Sequence, residues 1–137
     1  MKLWYCIQKN LEHKYFEKID IITCDVSFIS LKKIIDKIHN ENIKTDMICL
    51  IKPQFECGKD IADKYKGIIL NKEIHCNIIT DLIKHFNNLG FYIKNLTSSP
   101  IKGGDGNIEY LTYISNKINS NNEINITNII DSAFKEK

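Results

Sequence analysis

Three ionisable side chains stand at the end of, or inside, apolar runs. Asp25 follows Ile21-Ile22-Thr23-Cys24, Lys52 follows Met47-Ile48-Cys49-Leu50-Ile51 and directly precedes Pro53, and Glu109 lies within Asn107-Ile108-Glu109-Tyr110-Leu111. An ammonium at the mouth of a buried strand needs partners or a chemical task, because burying an unpaired charge is costly. Two carboxylates, one from each of the other runs, supply a candidate set of partners for it. The same trio can equally form a partly buried ion-pair network without chemistry. Spacing alone leaves both readings open.

The elements that must position these groups follow from periodicity. The β-branched run from Lys18 to Val26 predicts a strand buried on both faces, because it is nearly continuous rather than alternating. Ser30 is placed to cap a helix in which Leu31, Ile34, Ile35 and Ile38 form one face and Lys32, Lys33, Asp36 and Lys37 the other. Met47 to Lys52 predicts a second buried strand, and Pro53 biases Lys52 toward an extended backbone. Residues 54–71 carry charges and two glycines without a sustained period, the pattern of a long active-site loop or a partly mobile excursion. A helix is predicted from about Asn71 to Asn88, with an apolar stripe of Ile74, Ile78, Ile79, Leu82, Ile83 and Phe86 and a stop at Gly90.

Phe91–Thr97 and Ile108–Ile114 read as two more strands, and their connection is too short for a crossover helix, so they should be antiparallel. The order β-α-β-α-β-β describes an α/β fold whose mostly parallel sheet ends in a hairpin. Leu3, Trp4 and Ile7 have helical spacing, which predicts a short helix within residues 1–16. Residues 117–137 read as an asparagine-rich tail with a short helix over 126–134.

Composition sets wider bounds. A chain of 137 residues with 43% hydrophobic content fits one domain, and a formal charge of +2 does not by itself mark a nucleic-acid binder. All 19 basic side chains are lysine, so any phosphate contact must use a point charge or backbone N–H groups. The five cysteines show no C-x-x-C pair and the four histidines no H-x-x-x-H spacing, so reduced thiols and no metal site are expected. No apolar stretch reaches signal-peptide or membrane-span length, which predicts a cytoplasmic protein without a membrane partner.

Asp25-Val26-Ser27-Phe28-Ile29-Ser30-Leu31, Ile51-Lys52-Pro53-Gln54-Phe55-Glu56, and Ser99-Pro100-Ile101 with Gly106-Asn107-Ile108-Glu109-Tyr110 closely resemble the TlyA (haemolysin A) family of FtsJ-like ribose methyltransferases. The resemblance covers about residues 18–115. It implies a Rossmann-like sheet, S-adenosylmethionine as cofactor, and methylation of a ribose 2'-hydroxyl in ribosomal RNA through a Lys-Asp-Lys-Glu tetrad. Asp25, Lys52 and Glu109 match its last three members, and the resemblance also assigns Asp25, Ser27 and Phe28 to the cofactor. The first lysine, the glycine-rich cofactor loop and a later acidic residue find no match; all would lie upstream.

The expectation is therefore the C-terminal half of a methyltransferase sheet within residues 1–116, with the N-terminal strands missing. Without the first lysine, two carboxylates favour a charged Lys52 that is a poor base, so catalysis by this chain should be lost or severely reduced. The partner implied is ribosomal RNA or a ribosomal subunit, not DNA. The alternative is a catalytically inactive remnant that binds RNA or a protein. Gly103-Gly104-Asp105-Gly106 suits either a phosphate or a tight turn. Lys59, Lys64, Lys66 and Lys102 suit either an RNA-facing patch or a solvated surface, and Phe28 and Phe55 either stack on a ligand or pack in the core.

Overall fold

The computed structural model describes residues 19–118, 120 and 122–135, so the helix expected within residues 1–16 lies outside the described residues. Strand β1 (Ile21–Cys24) leads to helix α1 (Leu31–Asn40) and strand β2 (Asp46–Ile51). Two short helices follow, α2 (Pro53–Glu56) and α3 (Lys59–Lys64), then the long helix α4 (Lys72–Asn88). Strands β3 (Tyr92–Ser98) and β4 (Tyr110–Ser115) flank a 3-10 turn at Gly104–Gly106, and α5 (Ile126–Lys135) ends the described chain.

The helices start and stop where local chemistry dictates. The Ser30 hydroxyl accepts the Lys32 N–H at 3.1 Å, and α1 buries Leu31, Ile34, Ile35 and Ile38. Each of these side chains contributes about 1.5–3 kcal/mol by leaving water. Asn71 caps α4 by accepting from the Ile74 N–H at 3.0 Å. At the other end Gly90, at φ +79, lets the Phe91 N–H donate to the Phe86 carbonyl at 2.9 Å, a left-handed helix stop.

The sheet order is β1-β2-β4-β3, with β1 and β2 parallel and β4 antiparallel to both of its neighbours. The final hairpin therefore folds back so that its second strand fills an internal position. One face of the sheet, carrying Ile22, Cys24, Met47, Cys49, Ile51, Ile93, Leu96, Tyr110 and Ile114, joins the apolar sides of α1, α4 and α5 in one core.

Two expectations need correction. Strand β1 is not buried on both faces: Ile22 and Cys24 are buried, whereas Ile21 is 45% exposed and Thr23 also faces outward. Among the described residues β1 is an edge strand, and the core lies on one face of the sheet. Residues 54–71 are not one long loop, since they hold most of α2 and all of α3. Four and six residues are too short to display a helical period, and Pro53 starts α2 at the position where its missing N–H costs nothing.

Asparagines and a histidine tie the elements together. The Asn116 amide accepts from the Thr45 N–H and donates to the Ile43 carbonyl, both at 2.7 Å, joining the start of β2 to the end of β4. His75 is fully buried between the Tyr110 hydroxyl and the Ile69 carbonyl, each at 2.7 Å. A carbonyl only accepts, so Nε2 donates to Ile69, and in the neutral imidazole Nδ1 accepts from the Tyr110 hydroxyl. Burial pushes the Tyr110 hydroxyl far above the ordinary tyrosine range.

Candidate active site

Strands β1 and β2 run parallel and in register, so they end at the same rim of the sheet. Asp25 follows one and Lys52 the other. Only 12% of the Lys52 side chain is exposed, and its ammonium lies 2.6 Å from Asp25 Oδ1 while donating to Ser27 Oγ at 3.3 Å. Beneath this pair Cys24 and Cys49 face each other as buried free thiols. Their mutual hydrogen bond, and then burial, push the Cys49 thiol well above its usual range and keep it protonated.

Glu109 arrives at the rim through topology. Strand β4 is antiparallel to β2 with Ile51 opposite Tyr110, so the next residues outward, Lys52 and Glu109, leave the sheet side by side. Glu109 precedes β4 rather than lying within it, and it is 7% exposed. Its Oε1 accepts from Gln54 Nε2 at 2.9 Å. Among the described residues, no ion pair joins Lys52 to Glu109.

The trio is thus brought to one rim as two linked halves, Asp25 with Lys52 and Gln54 with Glu109. Lys52, Gln54 and Glu109 line one cavity of about 740 Å³, together with Ser27, Phe28, Phe55, Asp63, Lys66, Asn107 and the Gly103–Asp105 turn. Asp25 instead borders a smaller groove of about 170 Å³, lined also by Thr23, Ile48, Leu50 and Leu111.

Two backbone features shape the cavity wall. Phe28 adopts φ +65 and is 89% exposed, with its ring centroid 4.7 Å from that of Phe55. A bulky residue held in the left-handed region and facing water is strained for a reason other than core packing. On the opposite side, a Cβ on Gly103 would lie 2.2 Å from Glu109 Oε1, so any larger residue in that turn would have to push the Glu109 carboxylate aside. The Gly103–Gly106 segment is a turn, with the Gly106 N–H donating to the Gly103 carbonyl. Of the four lysines considered above, Lys66 lines the cavity.

Glu56, Gln54 and Asn107 drew no attention in the sequence. Glu56 accepts from Ser30 Oγ at 2.6 Å and from the Leu31 N–H at 2.8 Å. Burial raises its carboxyl above the ordinary value of 4.5, against the opposing pull of these two donors and of Lys32. Asn107 is buried; it accepts from the Ile69 N–H at 2.9 Å and donates to the Gly67 carbonyl at 2.8 Å. Each lies inside or beside a motif quoted above, but polar bonds across 25 to 55 residues leave no periodic trace.

Comparison with known proteins points to one family. The FtsJ-like methyltransferase profile matches residues 5–116. The 23S rRNA (cytidine-2'-O)-methyltransferase TlyA of Campylobacter jejuni is 43% identical over 97 residues, which cover 71% of this chain and 38% of that protein. Hemolysin A of Brachyspira hyodysenteriae is 43% identical over 94 residues, covering 68% of this chain and 39% of its own length. A solved structure described as a hemolysin from Lactococcus lactis superimposes with a TM-score of 0.79 at 34% identity, covering 90% of this chain and 61% of the other. A counterpart from Streptococcus thermophilus gives 0.81 at 30% identity, covering 93% and 47%. The chain spans less than two fifths of the length of these curated relatives.

Proposed function

The chain belongs to the FtsJ-like methyltransferase family, and from that premise we propose that it forms part of an S-adenosylmethionine-dependent RNA 2'-O-ribose methyltransferase acting on ribosomal RNA. The observation that carries this reading is the Lys52 ammonium, held by Asp25 at the mouth of a cavity whose other wall presents Glu109. Residues 1–116 are taken as the methyltransferase part and 117–137 as an appended tail, a division supported by the profile match ending at residue 116. The cytoplasm, where ribosomal RNA is accessible, is the proposed location; no helix among the described residues is long and apolar enough to cross a membrane.

The residues present suit the cofactor. The cavity is within the size range of small-molecule sites, and its three carboxylates, Asp63, Asp105 and Glu109, outnumber its two ammonium groups, Lys52 and Lys66, which favours a cation. Ser27 and Phe28 line the cavity and are assigned to hold it, with the Phe28–Phe55 pair offering an aromatic surface to a planar base; Asp25, expected to join them, borders the smaller groove instead and reaches the cavity only through Lys52. When bound, S-adenosylmethionine supplies an electrophilic methyl group on a sulfonium.

The chain's own residues act on the nucleophile. Asp25 and Ser27 fix the Lys52 ammonium, which then points a donor at the attacking ribose oxygen and orients it. Glu109, nearly buried and acidic, is the acceptor on the opposite side. Because Asp25 and Ser27 already engage the ammonium, orientation and electrostatic stabilisation are the roles assigned to Lys52 in this chain, ahead of proton abstraction.

Transfer of labelled methyl groups to ribosomal RNA, with nuclease digestion to identify the modified nucleoside, tests the proposal. Lys52→Ala should lower 2'-O-methylation by about 100-fold or more while leaving the circular dichroism spectrum unchanged. Unchanged turnover overturns the role of Lys52. RNA binding without methyl transfer or cofactor heat in calorimetry would instead establish a non-catalytic binding module.

A further inference from the structure

We infer that Gln54 is a positioning residue: its side-chain amide fixes one oxygen of the Glu109 carboxylate so that the other is presented to the cavity, an assignment that rests on the methyltransferase reading above. A carboxylate only 7% exposed must find donors within the protein. Lys52 is the obvious candidate by position, yet its ammonium is engaged by Asp25 and Ser27. The donor is the Gln54 amide at 2.9 Å from Oε1. The Gly103 backbone closes the other side of the same oxygen so tightly that a Cβ there would lie 2.2 Å away. Oε1 is therefore pinned between an amide and a glycine, while Oε2 has no hydrogen-bond partner among the described residues and belongs to a side chain that lines the cavity.

The chemistry of the donor matters as much as its place. A cationic donor would neutralise Glu109, and a second carboxylate would repel it. A neutral amide holds the group in position and leaves its negative charge available to the cavity. This arrangement carries a stability cost, because Gln54 Oε1 is buried without a hydrogen-bond partner. An apolar side chain of the same length would avoid that cost. An orphaned acceptor beside a functional carboxylate is the mark of a residue retained for placement rather than for stability.

Two substitutions separate placement from stability. Gln54→Met keeps the length and removes the donor, whereas Gln54→Glu keeps the shape and turns an acceptor toward Glu109. Carboxyl-carbon NMR on the intact chain, with Glu109 assigned through Glu109→Gln, reads the geometry without turnover. Both variants should move the Glu109 signal and leave that of Asp25 in place; an unmoved Glu109 signal in Gln54→Met overturns the inference. In methyl transfer to ribosomal RNA, Gln54→Met should lower kcat by about 100-fold, with KM for RNA and cofactor unchanged and Tm no more than about 3 °C below wild type. A raised KM with intact kcat, or a kcat loss that follows a fall in Tm, also overturns it. If the wild-type chain transfers no methyl group, as expected where the first lysine has no match, the carboxyl signal alone decides the role of Gln54, and cofactor heat in calorimetry decides the methyltransferase reading.

Discussion

Glu56 accepts a 2.6 Å hydrogen bond from the hydroxyl of Ser30, 26 residues earlier in the chain. Its second oxygen takes the Leu31 N–H, so a carboxylate from α2 completes the N-terminus of α1, where helix polarity favours a negative charge. The consequence reaches the candidate active site. The segment bearing Asp25, Ser27 and Phe28 is locked to the segment bearing Lys52 and Gln54 by a contact outside the cavity itself.

This clamp should make stability depend on pH in a defined direction. Burial raises the Glu56 carboxyl above 4.5, so the folded protein binds that proton more tightly than the unfolded chain. Its contribution is then fully favourable below pH 4.5 and is lost as pH rises through the elevated folded value. Glu56→Gln should remove this segment of the stability profile and flatten Tm as pH rises above 4.5. A wild-type profile that rises above pH 4.5 by an amount that disappears in Glu56→Gln would contradict the assignment.

Gly103→Ala places a methyl group where Glu109 Oε1 now sits. The backbone there is extended at φ −72, so the cost is steric rather than conformational. Stability should fall by about 1–3 kcal/mol, and methyl transfer should fall well beyond what the lost folded fraction explains. Denaturant titration alongside turnover gives both numbers; full activity would mean that the position of Glu109 is unimportant.

Asn107→Ala should loosen the α3 excursion. It strands the buried Ile69 N–H, worth about 1–3 kcal/mol without a partner, and frees the partly buried Gly67 carbonyl. Limited proteolysis should then cut within residues 64–71 faster than in wild type. Equal cleavage rates would show that other contacts hold the segment.

Phe28→Gly probes stored backbone strain. Relief of the left-handed conformation, about 1–2 kcal/mol, outweighs the flexibility that glycine adds to the unfolded chain, about 0.5–1 kcal/mol, and little burial is lost from a side chain 89% exposed. Tm should rise slightly while cofactor or RNA affinity falls. A drop in Tm with unchanged affinity would assign Phe28 to structure alone.

Much of the fold was legible because its signals are local. The four apolar residues of α1, the Ser30 cap, the stripe of α4 and the Gly90 stop are each set by neighbours within a few positions. Lys52-Pro53 likewise announced the end of β2. The one-sided burial of β1 was hidden, since both faces carry apolar residues and only the packing of other elements decides which face is covered. The short helices α2 and α3 were hidden by their length. At the site, Asp25, Lys52 and Glu109 were recognisable as rim residues by type and resemblance, but Gln54, Glu56 and Asn107 make bonds that depend on strand order, and Lys52 lies beside Glu109 only because β4 enters next to β2.

That insertion also dictates a sequence of events during synthesis. Within the described sheet, β3 pairs with β4 and with no other strand, although it is made first, so it emerges with both backbone edges bare. Parallel β1 and β2 can zip together while translation continues, bringing Asp25 to Lys52 early. The slot between β2 and β3 stays open until residue 115 is available, the kind of distant pairing that slows folding and exposes sticky edges to neighbouring chains. Nascent protein arrested before β4 should therefore lean on chaperones, and Glu109 is the last member of the trio to take its seat.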